Sequence, residues 1–253
     1  MRSVSAIVPA YNEAARIGTV LEILVSYDGF TEIVVVDDGS TDETARIVET
    51  FGVRVVKNRE NKGKGAAMER GAQEASGEIL FFCDADLIGL SHQFIDEVIR
   101  PVTGGEVDMF VGARKSKIRR WRWFSWAPLL DGQRAMTRML WMRVPSRFKR
   151  RFEIEVALNW CAARSERGYA YKAYDEISHV RKEEKRGFLK GKLSRIRMCW
   201  EVSRAYGALK CREMVSVACR IRGVRDSYRL RRVREAYAQG DPIATNMARS
   251  LLR

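Results

Sequence analysis

The sequence predicts an α/β fold in which a mostly parallel central sheet carries helices on both faces. Two observations support this class. In the first 110 residues, short apolar runs alternate with segments of helical periodicity, which is typical of parallel sheets covered on both sides. The chain has 253 residues and is 46% hydrophobic, so it can fill a sizeable core.

The elements of the first half follow one another along the chain. An apolar run at residues 4–8 predicts the first strand, and residues 13–25 have the spacing of a helix. Further apolar runs predict strands at residues 32–36, 53–57, 79–83 and 107–111. The periodic segments between them predict helices at residues 42–51, 65–75 and 91–99.

The composition changes after Ala113. Six basic residues lie between Arg114 and Arg122 and are followed by aromatic residues, which predicts a mobile basic-aromatic loop leading into a helix. A helix is then expected at residues 152–164, a strand at 169–174 and a short segment at 177–180. Two basic helical stretches follow, at residues 187–209 and 212–237. The first of them is amphipathic.

Charge divides the chain into two halves. Residues 1–110 hold ten Lys or Arg against 19 Asp or Glu, a net charge of −9, and the remainder holds 36 against 13, a net charge of +23. An acidic half suits metal and ligand chemistry. A strongly basic half attracts anionic partners, which are phosphorylated acceptors, a membrane surface or nucleic acid.

The cysteine content and the lengths of the uncharged stretches indicate where in the cell the protein is expected. The five cysteines are odd in number and contain no Cys-x-x-Cys pair, which fits reduced thiols in the cytoplasm. The longest stretch without a charge has ten residues, fewer than the roughly 17–25 apolar residues of a spanning helix. No signal peptide is apparent, so a soluble or peripheral protein is expected.

The run ILFFCDAD at residues 79–86 is the most informative segment. Its apolar residues predict a buried strand that ends in Asp84 and Asp86, and alternate residues of an extended chain face the same way. The two carboxylates therefore predict a divalent metal site at a sheet edge, where α/β proteins bind ligands. The alternative is that Asp84 caps a helix while Asp86 lies in a solvated turn.

Polar turns follow the other strands and should meet the carboxylates at the same edge of the sheet. Asp38 follows the second strand, and in NKGKGA at residues 61–66 two glycines flank Lys64, which allows close backbone approach to an anion. These turns supply partners for a base and ribose and one cation for a diphosphate. The turn after strand one consists of Pro9, Ala10, Tyr11, Asn12 and Glu13.

Four motifs, IVPAYNE, VVVDDGSTD, NKGKGAA and DAD, occur in the order and spacing of a known family. Over residues 4–90 the chain resembles family 2 glycosyltransferases with the GT-A fold of nucleotide-diphospho-sugar transferases. The resemblance implies that the turn at residues 9–13 and Asp38 hold the nucleotide, with Lys64 near the donor. It also implies that Asp84 and Asp86, with Ala85 between them, carry Mg²⁺ or Mn²⁺ on the diphosphate, with Asp86 counted as catalytic.

Two later segments, DGQRAM at residues 131–136 and FEIEVALN at 152–159, are similar to the acceptor side of polyprenyl-phosphate sugar transferases and glucosyl-3-phosphoglycerate synthases. By this resemblance Arg134 orients a phosphate, and Glu155 steers cations or acts as a base. The alternatives are a helix-surface charge for Arg134 and an arginine partner for Glu155. Asp131 departs from the usual small residue before Gly-Gln-Arg.

His179 stands where synthase-like enzymes place a metal-binding histidine, so the resemblance makes it a third metal ligand. Its alternative is a packed or solvated side chain. By the same resemblance we expect a catalytic domain over residues 1–182, with a donor and metal half at 1–112 and an acceptor half at 113–182. A basic helical extension then covers 183–253.

The expected activity is transfer of a sugar from a UDP- or GDP-sugar to a phosphate-bearing acceptor, foremost a polyprenyl phosphate. A soluble phosphoglycerate acceptor is the alternative. A nucleic-acid-binding protein is a remote alternative, because it explains the basic half but not the first half. A nucleotidyltransferase would be expected to have a glycine-rich loop where residues 9–13 stand. The expected location is the cytoplasm, with peripheral attachment to the inner face of the cell membrane.

Overall fold

A seven-stranded sheet forms the centre of the computed structural model, which describes residues 2–114, 132–179, 200–205 and 207–209. The strands in the order of the sheet are β3 (Arg54–Lys57), β2 (Glu32–Asp37), β1 (Val4–Ala10), β4 (Ile79–Phe82), β7 (Arg134–Thr137), β6 (Met109–Arg114) and β8 (Tyr169–Tyr174). Strand β7 alone among these runs antiparallel to its neighbours. A separate antiparallel pair joins β5 (Leu87–Ile88) to β9 (Ser178–His179).

Helices cover both faces of the sheet, as predicted. They are α1 (Ile17–Val25), α2 (Thr44–Glu49), α3 (Lys64–Glu74), α4 (His92–Thr103), α5 (Arg138–Arg143) and α6 (Glu153–Ala162), with a 3-10 turn at Ser146–Phe148. Residues 200–205 and 207–209 are also helical. Alternate strand residues enter opposite cores: Ala6 and Val8 pack with α1 and α4, whereas Ile7 packs with α3 and α6.

The close packing of α3 on the sheet depends on a glycine. A Cβ atom on Gly71 would lie 2.4 Å from Cγ2 of Ile7, which is fully buried. Arg138 from α5 caps the C-terminal end of this helix. Its guanidinium donates to the carbonyls of Ala72, Ala75 and Gly77 at 2.7–2.8 Å. Helix α3 is therefore held firmly, and its first residue, Lys64, has a defined position.

The predicted elements of the first half are confirmed, with shifted ends. The helix expected from residue 13 begins at Ile17, because the carbonyl of Glu13 closes a turn with the amides of Arg16 and Ile17. Strand β7 was not predicted, since four residues are too short to show a period. The predicted basic-aromatic loop falls at residues 115–131 and the second basic helix at 212–237, outside the described residues.

The helical residues 200–205 and 207–209 pack beside α3 and α6. Val202, Ala205 and Leu209 are buried in the same core as α3 and α6. Arg204 forms an ion pair with Glu153 at the start of α6. This part of the predicted C-terminal extension therefore contributes to the central core, while the predicted boundary at residue 183 lies outside the described residues.

Candidate active site

The turns after β1 and β2 are joined into one structure. Asn12 has a left-handed backbone with φ of 54°, and its Oδ1 accepts from the amide of Thr41 at 2.8 Å. Its own amide donates to Oγ of Ser40 at 3.0 Å, and the amide of Glu13 donates to Oγ1 of Thr44 at 2.8 Å. The turn at residues 9–13 is thus fixed at the carboxyl edge of the sheet, as its sequence position predicted.

Asp38 lies beneath the glycine loop and holds it. The residue is only 2% exposed, and its carboxylate accepts from the amides of Lys62 and Gly63 at 3.1 and 2.7 Å. The side-chain amide of Asn58 donates to the same group at 2.8 Å. In this geometry the Asp38 carboxylate positions the loop that precedes Lys64, and the nucleotide contact predicted for it stays a prediction.

The glycine loop is pressed against the segment that leads into α6. A Cβ atom on Gly65 would lie 2.7 Å from the backbone nitrogen of Arg150, so a larger residue would push the two segments apart. Gly63 has φ of +89°, the left-handed region that glycine tolerates. The glycine loop and the segment before α6 are therefore in direct contact, which the sequence did not indicate.

Lys64 joins the predicted metal and acceptor residues. Its ammonium lies 2.8 Å from Oδ1 of Asp84 and 2.8 Å from Oε1 of Glu155. Burial by itself lowers the pKa of Lys64, but the attraction of Asp84 and Glu155 outweighs burial and raises this pKa well above its ordinary value. Lys64 is therefore a cation shared between a residue after β4 and a residue of α6.

The environment of Asp84 and Asp86 fits a divalent cation. Both are partly exposed at the end of β4, and carboxylate oxygens are the ligands that Mg²⁺ and Mn²⁺ prefer. Burial and then the charges of Asp84 and Asp86 raise the pKa of the buried Cys83 thiol. Lys64 already places one cation against Asp84. Within residues 2–114, 132–179 and 200–209, as far as described, no three His, Cys, Asp or Glu side chains form a metal cluster.

The backbone brings His179 close to the carboxylate turn. Strand β9 pairs with β5 so that His179 stands opposite Leu87, the residue after Asp86. The two segments are separated by about 90 residues in the sequence, and the pairing brings the end of the predicted acceptor half next to the turn that contains Asp84 and Asp86. Its predicted role as a metal ligand stays a prediction.

Arg134 is buried in strand β7. It has no exposed surface, and its Nη1 donates to Oδ1 of Asn159 at 3.3 Å. The alternative of a helix-surface charge is therefore wrong, because the segment forms a central strand. Asn159 lies one turn after Glu155 on α6, so α6 presents both polar side chains to the same region.

Sequence reasoning missed the two residues before Arg134. Gln133 is fully buried, and its Nε2 donates to Oδ2 of Asp84 at 3.2 Å. A Cβ atom on Gly132 would lie 2.2 Å from the same carboxylate oxygen. Gly132 and Gln133 belong to the motif DGQRAM, but their contact with Asp84 depends on β7 pairing with β4, which the motif alone does not indicate.

Two curated proteins are similar to part of the sequence. ALG5C of Trichomonas vaginalis, a dolichyl-phosphate beta-glucosyltransferase, is 40% identical over 94 residues, which cover 32% of this chain and 28% of that protein. Glucosyl-3-phosphoglycerate synthase of Mycobacterium tuberculosis is 36% identical over 114 residues, 42% of this chain and 35% of that protein. The chain thus matches less than half the length of these curated relatives.

A solved structure matches over a larger part of the fold. The Mycobacterium tuberculosis synthase in complex with Mn²⁺, uridine diphosphate and phosphoglyceric acid superposes with a TM-score of 0.67 at 25% identity. The match covers 82% of this chain and 78% of that one, and it confirms the expected GT-A-type fold. The family model described as glycosyl transferase family 2 matches residues 5–177. Because that match spans more than half of the chain, the protein belongs to glycosyl transferase family 2.

Proposed function

We propose that the protein transfers a sugar from a nucleoside diphosphate sugar to a phosphate-bearing acceptor. The observation that carries this proposal is the convergence of Lys64, Asp84 and Glu155 beside the turns after β1 and β2. A buried lysine and two carboxylates at the carboxyl edge of an α/β sheet suit a metal-bound diphosphate. Family membership and the uridine diphosphate complex of the related synthase support a UDP-sugar, with a GDP-sugar as the other donor.

In this proposal the first half of the chain binds the donor. The turn of Pro9, Ala10, Tyr11, Asn12 and Glu13 takes the nucleoside, with Asp38 and Ala85 on its border. Asp84 and Asp86, together with His179, would hold Mg²⁺ or Mn²⁺. The bound metal supplies Lewis-acid neutralisation of the departing diphosphate. Lys64 adds a positive charge on the same side.

The acceptor side is formed by β7 and α6. A phosphate oxygen of a polyprenyl phosphate is ionised at neutral pH, so it attacks without a strong general base. Arg134 would contribute positive potential from its buried position, and Glu155 would orient the cations near it. A hydroxyl of phosphoglycerate would need a base, and Glu155 is the carboxylate predicted for that role.

The polyprenyl phosphate is favoured as acceptor by the basic second half and by the dolichyl-phosphate relatives. The phosphoglycerate alternative is favoured by the structural match to the synthase. None of the described helices is long and apolar enough to cross a bilayer. We therefore place the protein at the inner face of the cell membrane by peripheral attachment, and we expect no nucleic-acid partner.

The test begins with the donor. A panel of UDP- and GDP-sugars is screened with Mn²⁺ for thermal stabilisation and for slow hydrolysis, and the best donor is then assayed with polyprenyl phosphate and with phosphoglycerate. We expect metal-dependent stabilisation by one nucleotide and transfer to one acceptor. Absence of nucleotide binding across the panel would contradict the proposal, and transfer to phosphoglycerate alone would select the soluble acceptor.

A further inference from the structure

Both oxygens of the Asp84 carboxylate receive donors from the protein itself. Oδ1 lies 2.8 Å from the ammonium of Lys64, and Oδ2 accepts from Gln133 at 3.2 Å. The Lys64 and Asp84 side chains are each 18% exposed, so water screens the ion pair only in part. The carboxylate expected to bind a metal therefore already has a counter-ion within the chain.

Glu155 has a different environment. Its side chain is 4% exposed, and its Oε1 lies 2.8 Å from the ammonium of Lys64. A general base needs access to the proton that it removes, whereas this carboxylate is buried against a lysine. A buried carboxylate that faces a lysine is well suited to fixing the position of that lysine.

We infer that Lys64 is the resident cation of the Asp84 carboxylate, and that Glu155 is a positioning residue that acts through Lys64. This inference rests on the proposed function, since it requires Lys64 to contact the diphosphate of the donor once the donor is bound. Lys64 and a divalent cation repel each other at Asp84. Lys64 therefore turns from Asp84 toward the diphosphate as metal and donor bind, while Glu155 keeps it within reach.

The inference predicts opposite effects of one substitution on two ligands. Lys64→Met removes the competing charge, so Mn²⁺ alone should bind about fivefold more tightly, the size expected for one partly screened charge pair. The same variant should bind UDP in the presence of Mn²⁺ about tenfold more weakly, because a charge-assisted contact with the diphosphate is lost. Calorimetry of the full chain with Mn²⁺ alone and with UDP plus Mn²⁺ measures both effects.

Glu155→Gln tests the second part. In the wild-type background it should weaken UDP binding with Mn²⁺, and in the Lys64→Met background it should change that affinity by less than about twofold, because neighbours that act as a unit are not additive. The double variant also removes the buried negative charge of Glu155 that faces position 64, so it keeps a measurement available if the single variant unfolds. In that case the double variant should itself bind Mn²⁺ alone more tightly than wild type.

Two controls match these substitutions. Glu153→Gln changes a buried carboxylate of the same helix that pairs with Arg204, and Lys149→Met changes a buried lysine that pairs with Glu69 at 2.7 Å. Neither control should change the affinity for Mn²⁺ alone. Weaker or unchanged Mn²⁺ binding in both variants that lack Lys64 would overturn the inference while leaving the proposed function in place. A wild-type protein that binds no nucleotide with Mn²⁺ would overturn both.

Discussion

At the level of single residues, the carboxylates of the site differ in what already binds them. Asp38 is enclosed by three protein donors, whereas Asp84 and Asp86 are partly exposed beyond the end of β4. Asp84 is held by Lys64 and Gln133. These differences separate a residue that shapes the loop from residues that can bind a metal, although all three are aspartates after a strand.

Asp86→Ala should abolish metal-dependent turnover of the donor and leave the fold intact, because the residue lies outside the core in a turn after β4. Turnover with Mn²⁺ and thermal unfolding of the variant measure the two parts. Treatment of the wild type with a chelator is the matched control and should give the same loss. Full activity of the variant, or of the wild type in chelator, would refute the metal site.

Asp38→Ala should weaken nucleotide binding both with and without metal. The variant removes the acceptor of two part-buried hydrogen bonds, from the amides of Lys62 and Gly63, which should cost on the order of 1 kcal/mol for each hydrogen bond. Calorimetry with each candidate nucleotide, together with chemical unfolding, checks both effects. Unchanged affinity for every nucleotide would remove Asp38 from the donor site, and unchanged stability would contradict its role in holding the loop.

At the level of elements, the site depends on how closely α3 approaches the sheet. Helix α3 begins at Lys64 and crosses β1 at Gly71, so its packing determines where the ammonium of Lys64 lies. The contact with the segment before α6 is equally close at Gly65. Two helices from distant parts of the chain thus meet at Lys64.

Gly71→Ala should destabilise the protein by about 1–3 kcal/mol, because the added methyl group would overlap Ile7 in a filled core. Gly18→Ala in α1 is the matched control, since a Cβ atom there meets its nearest neighbours at an ordinary 3.9 Å. The control should be neutral or stabilising by up to about 1 kcal/mol. Urea unfolding of both variants measures the difference, and equal stabilities would contradict the close packing.

The contact between α4 and β8 should make the free energy of unfolding depend on pH in the acidic range. Glu97 accepts from the ammonium of Lys172 and the hydroxyl of Tyr174, both at 2.7 Å, and these hydrogen bonds lower the pKa of Glu97 to about 2. A lowered folded-state pKa means that the contribution is present above the unfolded value of 4.5 and is lost as pH falls toward about 2.

Glu97→Gln should therefore lose less free energy of unfolding than the wild type between pH 5 and about pH 3. Glu78→Gln, at an exposed position, is the comparison variant and should follow the wild type. Urea unfolding at several pH values measures the slopes. Equal slopes for wild type and Glu97→Gln would show that the hydrogen bonds of Glu97 to Lys172 and Tyr174 contribute nothing measurable to the pH dependence of stability.

At the level of the whole molecule, the two halves differ in charge and in proposed partner. The acidic first half carries the proposed donor site, and the basic second half, with a net charge of +23, suits an anionic surface. Each cation near such a surface contributes on the order of 1 kcal/mol, and salt screens this contribution. A few cations would be enough for reversible attachment.

The full chain should sediment with anionic liposomes at low salt and be released at high salt. Removal of residues 212–253 should shift it from the membrane fraction to the supernatant. Circular dichroism of the shortened chain, to confirm that it folds, is the control. Failure of the full chain to bind at low salt would contradict membrane docking and favour an acidic soluble acceptor.

The sequence alone determined the fold class, the order of the first elements and the strand-end motifs. These are local properties: a buried strand has its own apolar run, and a turn has its own polar and glycine residues. The pair Asp84 and Asp86 could be found because the two residues are one residue apart, directly after one strand. Family resemblance then assigned them a metal.

Only the tertiary structure decided how distant segments meet. It placed β7 between β4 and β6, which buried Arg134 and brought Gln133 to Asp84. It also joined Lys64 to Glu155 across 91 residues. Pairing of this kind depends on packing of the whole chain and leaves no periodic signal in either segment, so the shared lysine could not be read from the sequence.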